Sequence, residues 1–124
     1  MANTAGSVAV RARCIGDTAV IYASEYLNKI NGERIERECK QQLEAGCRAL
    51  VINFRNTELV NSIGVSILMG VIDAVEQNNA RLIFSDTNSH TAVLFEMLGL
   101  TRHVSLAKDE EEALSLLAVS EARP

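Results

Sequence analysis

Residues 59 to 72 read LVNSIGVSILMGVI, and this stretch holds the side chains best placed for chemistry. Asn61 and Ser62 open an apolar run that Gly64, Ser66 and Gly70 interrupt. A serine at such a place can act as a nucleophile, accept a phosphoryl group, or simply start a helix. Nucleophilic catalysis needs a base and an orienting acid. His90 and His103 are present, but Asn-Ser-Ile-Gly is not the Gly-x-Ser-x-Gly elbow of a hydrolase. Phosphoryl transfer to a carboxylate wants acidic residues at strand ends, where this chain offers Asn53, Asn56 and Glu58. Neither glycine-rich phosphate-cradling motif occurs. Cys14, Cys39 and Cys47 are odd in number and lack C-x-x-C spacing. Reduced thiols in or near the core are therefore expected, rather than a metal or disulfide site.

Capping accounts for the first two residues of the stretch: Asn61 is a good N-cap, with Ser62 at the first helical position. It does not account for the turns that follow. On a helix, Ser62, Ser66, Met69 and Asp73 fall in one row at spacings of four, three and four, while Gly64, Leu68, Val71 and Val75 form the neighbouring row. One row can face a sheet and the other a partner, with Gly64 allowing another backbone to approach closely.

The elements that must hold this helix follow from the flanking patterns. Val8-Ala9-Val10 and Thr18 to Tyr22 have β-branched character around a Gly16-Asp17 turn, which predicts an opening hairpin. Ile30, Ile35, Cys39 and Leu43 recur along one face of a helix over 30–45, and Gly46 suits its C-terminal end. RALVINF is apolar almost without alternation, as in a strand covered on both faces. ARLIFSD repeats that pattern after Asn78-Asn79 ends the helix in question, and HTAVLFEMLGL spaces Val93, Leu94, Met97 and Leu98 helically before Gly99. A short strand near His103-Val104 precedes a terminal helix, KDEEEALSLLAV, whose acidic first turn suits the positive end of its dipole. This alternation predicts an α/β sandwich around a mostly parallel sheet.

Composition bounds the partners. One domain over 1–124 is expected from the length, and 48% hydrophobic with 23% charged residues is the balance of a folding chain. A net charge of −4, without a Lys/Arg cluster, argues against direct contact with nucleic acid or an anionic membrane. The run from Ile63 to Ile72 is too short to span a bilayer, and MANTAGSVAVRAR lacks the basic and apolar regions of a signal peptide. A cytoplasmic protein is expected.

LVINFRNTELVNSIGVSILMGVI resembles the signature region of STAS domains, in particular anti-sigma factor antagonists: a buried strand, a short loop, then Asp-Ser-Ser/Thr-Gly opening a helix. Asn61 falls where that family has Asp, Ser62 on its phosphorylated serine, Ile63 on the next Ser/Thr and Gly64 on the glycine. ARLIFSDTNSHTAVLFEMLGLTRHV and DEEEAL resemble the family's later strand and helices, so the likeness covers about residues 8–119. Asn53 and Asn61 replace two positions that are often acidic there, and Asn61 keeps the capping geometry without the charge. The resemblance implies a STAS-like sandwich with a four- or five-stranded mixed sheet and helices mainly on one face. It also implies partner switching. The unmodified chain would bind an anti-sigma factor serine kinase of the ATPase type, phosphorylation of Ser62 would release it, and a PP2C-type phosphatase would reset it, with no cofactor. Asn61, Ser62, Ile63, Gly64, Val65, Ser66 and Met69 would form the contact. Two other readings stand beside this one: an unphosphorylated structural STAS module of a larger signalling or transport assembly, and an enzyme using Ser62 as nucleophile.

Overall fold

The computed structural model describes residues 10–122. Its main sheet has five strands in the order β1-β2-β4-β6-β7: Ala12–Ile15, Thr18–Tyr22, Ala49–Asn53, Arg81–Ser85 and Ser105–Ala107. β1 is antiparallel to β2 and every other pair is parallel, so the sheet is mixed. The opening hairpin forms around Gly16, whose φ of +60° suits a residue without Cβ. Its first strand starts later than Val8-Ala9-Val10 indicated: Val8 and Ala9 lie outside the described residues, and Val10 precedes β1. The late strand likewise begins at Ser105, beyond His103-Val104.

Four helices flank the sheet: α1 (Lys29–Glu44), α2 (Ser62–Gln77), α3 (Ser89–Met97) and α4 (Glu110–Ala122). Period-two alternation sorts the strand side chains between two cores. Ala19, Ile21, Leu50, Ile52, Leu82 and Phe84 face α1, α2 and α3, where Phe54, Phe84 and Phe95 pack with ring centroids 5.1 to 5.4 Å apart. Val20, Val51 and Ile83 face Ala113 and Leu117 of α4. Three helices therefore cover one face and one helix the other. All five residues of β4 are buried, which is why that strand reads as a continuous apolar run.

Two apolar spacings prove to be only partly core. Ile35, Cys39 and Leu43 of α1 are buried but Ile30 is exposed. In α3 the inward residues are Thr91 and Phe95, whereas Val93, Leu98 and Met97, the last 77% exposed, point outward. A second, two-stranded parallel sheet pairs β3 (Tyr26–Leu27) with β5 (Leu59–Val60), and it delivers the chain to the start of α2.

Candidate functional site: the entry of helix α2

Asn61 has extended backbone geometry (φ −108°, ψ 168°) and caps α2. Its Oδ1 accepts from the Gly64 amide at 2.9 Å, its own amide donates to the Leu27 carbonyl at 3.0 Å, and its Nδ2 donates to the Tyr26 hydroxyl at 3.3 Å. One side chain thus satisfies a first-turn amide and joins the helix to β3. The closest approach is at Gly64, where a Cβ would stand 2.4 Å from the Leu27 carbonyl oxygen. No side chain fits there, so the glycine sets how closely α2 seats against the small sheet. Behind β5, buried Thr57 donates to the Ser24 carbonyl at 2.7 Å, and the Glu58 and Leu59 amides donate to the Glu25 carbonyl.

Along α2 the two rows separate as expected. Ser62, Ser66, Met69 and Asp73 are exposed, while Gly64, Leu68, Val71 and Val75 are buried. Of the seven residues expected at a partner contact, five are reachable: Asn61, Ser62, Ile63 (52% exposed), Ser66 and Met69 (41% exposed). Gly64 and Val65 are corrected to interior positions, since Gly64 lies against Leu27 and Val65, 5% exposed, packs in the core. A helix places only part of each turn outward, and the capped entry turns these two residues toward the sheet. Tyr26 and Leu59 were not anticipated. Both are exposed, and they are opposite one another in the β3–β5 pair beside the turn. Two-residue strands carry no periodicity by which to find them.

The charges around Ser62 are as informative as its contacts. The first turn of α2 has no acidic residue, and among the described residues no ion pair involves it. The amides of Ser62 and Ile63 have no intrahelical acceptor, as at any helix start. The turn is thus an electropositive dipole end bearing an exposed hydroxyl, bordered by apolar surface.

Residues 9–113 match the STAS domain family. The chain belongs to that family. Among its relatives, a protein of Bordetella bronchiseptica that carries the provisional name anti-sigma factor antagonist BtrV is 24% identical over 87 residues, covering 70% of this chain and 75% of that one. The STAS fold is shared with the anti-sigma factor antagonist SpoIIAA in its unphosphorylated form (TM-score 0.76, 21% identity, 90% of this chain and 97% of that one). The same Bacillus cell-fate determinant in its phosphorylated form gives a TM-score of 0.70 at 22% identity, over 88% and 99% of the two chains. A variant of Moorella thermoacetica RsbS gives 0.80 at 17% identity, over 92% and 98%.

Asn53, at a position often acidic in STAS domains, is buried and serves α4 instead. Its Nδ2 donates to Glu110 at 3.0 Å and its Oδ1 accepts from the Arg55 amide at 2.8 Å. Among the described residues no helix is long and apolar enough to cross a membrane, and no cluster of three His, Cys, Asp or Glu could hold a metal ion.

Proposed function

We propose that this STAS domain is an anti-sigma factor antagonist acting by partner switching, with Ser62 as the switch. Unmodified, it binds an anti-sigma factor serine kinase of the ATPase type through Asn61, Ser62, Ile63, Ser66 and Met69, with Tyr26 and Leu59 at the rim. Phosphorylation of Ser62 ends that contact, and a PP2C-type phosphatase restores it. The observation that carries this reading is the exposed, charge-free serine at the first position of α2, next to apolar side chains and over a rigidly seated turn.

The physical consequences of a phosphate there differ for fold and interface. It adds about −1.5 to −2 charge. At a helix N-terminus the unsatisfied amides and the dipole accommodate an anion, so the fold survives. An interface centred on the same turn does not, because the dianion must shed water on docking and meets any partner carboxylate as a like charge. A loss of about 2.8 kcal/mol lowers affinity roughly a hundredfold.

The test is to incubate the protein with ATP and the candidate kinase encoded nearest to it, then map phosphate by mass spectrometry while following the complex by gel filtration. Phosphate on Ser62 with loss of the complex is expected. Phosphate on Ser66 or Thr57 instead would reassign the switch, and a complex that persists in ATP without modification would favour a structural STAS module.

A further inference from the structure

Cys14 lies on the edge strand β1 and Cys47 in the connection from α1 to β4, yet both thiols aim at one atom. Gln42 Oε1 is 3.6 Å from Cys14 Sγ and 3.4 Å from Cys47 Sγ. The amide is oriented from behind, since Gln42 Nε2 donates to Glu38 Oε2 at 2.7 Å, leaving the carbonyl oxygen as the end that faces the thiols. Cys14 is exposed and Cys47 half-buried, whereas Cys39, the third thiol, is buried on the inward face of α1. Burial pushes the Cys47 thiol up, and neighbouring Cys14 and Asp17 push it the same way, so the two sulfurs sense each other.

We propose that Cys14 and Cys47 form a redox modification site that closes to an intramolecular disulfide when hydrogen peroxide is the oxidant. Cys14, the exposed thiol, attacks the peroxide as its thiolate. The O–O bond breaks, one oxygen stays on sulfur as a sulfenic acid, and the other leaves as water after protonation. Cys47 then attacks the Cys14 sulfur as its own proton passes to the departing hydroxyl, which leaves as a second water. Two thiols lose two electrons and two protons, and the peroxide takes up both. Bringing the Cβ atoms to bridging distance, about 3.8 Å, calls on parts of the fold that can yield: among the described residues β1 is paired on one side only, and the connection carrying Cys47 contains Gly46 at φ +103°. Cys47 precedes the start of β4, whereas Asn61 and Ser62 follow its far end, so the two sites lie toward opposite ends of that strand.

The experiment treats the full chain at low micromolar concentration with a small excess of hydrogen peroxide, alkylates free thiols and maps peptides. A cross-link between the Cys14 and Cys47 peptides is expected, with Cys39 recovered as a thiol and Tm raised on the order of 5 °C by the constraint on the unfolded chain. C14S should abolish the cross-link and leave Cys47 alkylated. The proposal is overturned if the folded parent gives sulfinic acids or free thiols at both positions, a bridge to Cys39, or a disulfide-linked dimer through Cys14.

Discussion

Helices α2 and α4 both begin beyond the carboxyl ends of the parallel strands, on opposite faces of the sheet, and their first turns are built in opposite ways. The α4 entry is filled by its own carboxylates. Asp109 Oδ1 accepts from the Glu112 amide at 2.8 Å while Glu112 Oε1 accepts from the Lys108 amide at 2.6 Å, a reciprocal cap. Glu110 reaches to the sheet, where it accepts from the Tyr22 hydroxyl at 2.8 Å and from Asn53, and pairs with Arg13. The α2 entry has a neutral cap, no acid and an exposed serine. Equal dipole ends are thus satisfied internally at α4 and left to an incoming anion at α2, which separates a structural helix start from one suited to modification.

The largest expected effect comes from supplying α2 with the charge that α4 already has. Ser62→Asp should weaken kinase binding by about a hundredfold or more with Tm unchanged or slightly raised, as measured by calorimetry and thermal melts. A folded variant that binds as tightly as the parent would show that the turn is not the interface. Gly64→Ala tests the seating instead. The added methyl meets the Leu27 carbonyl at 2.4 Å, and since backbone rather than a flexible side chain stands in the way, unfolding free energy should fall by roughly 2–3 kcal/mol. A loss below half a kcal/mol in urea titration would mean that the helix shifts freely.

At α4 the corresponding change removes a charge. Burial alone would raise the Glu110 carboxyl, but hydrogen bonds from Tyr22, Asn53 and Arg13 outweigh it, and its pKa lies below the ordinary 4.5. A depressed folded-state pKa contributes stability that is present above the unfolded pKa and is lost as pH falls through the folded one. Glu110→Gln should therefore cost roughly 1–2 kcal/mol at neutral pH, allowing for the half-exposed Arg13 partner. The difference from the parent should shrink as pH falls below about 4.5. A gap that stays constant from pH 7 to pH 3 would show that the carboxylate charge is not what anchors the helix.

How much of this contrast was legible beforehand depended on how each feature is encoded. The inward and outward rows of α2 were readable because sixteen residues repeat one apolar spacing over several turns. The fully buried β4 was readable as a run for a similar reason. Val93 and Met97 misled because α3 is short, and nothing local says whether its apolar stripe or Phe95 meets the core. Gly64 could be marked as a place of close approach, but not that Leu27 was the neighbour, since that contact joins segments far apart in the chain. The same holds for Glu110: its acidic turn suits a helix start on sequence grounds, while its partners Arg13, Tyr22 and Asn53 come from three separate strands and meet only in the fold.

Asn61→Asp has the smallest expected effect and sharpens the comparison most, because it makes the α2 entry resemble that of α4 by one charge. The aspartate can still accept from the Gly64 amide, and the Tyr26 hydroxyl, which now receives the Asn61 Nδ2 proton, can turn to donate instead. Unmodified protein should gain about 0.3–1 kcal/mol from a carboxylate at the dipole's positive end, and lose that gain in high salt. With phosphate on Ser62 the gain should vanish, since two anions would then compete for the same first-turn amides and repel one another across adjacent residues. Thermal melts of both forms at low and high salt measure this directly. An equal gain with and without phosphate would place the modification away from the dipole end, and would remove the electrostatic distinction between the two helix starts.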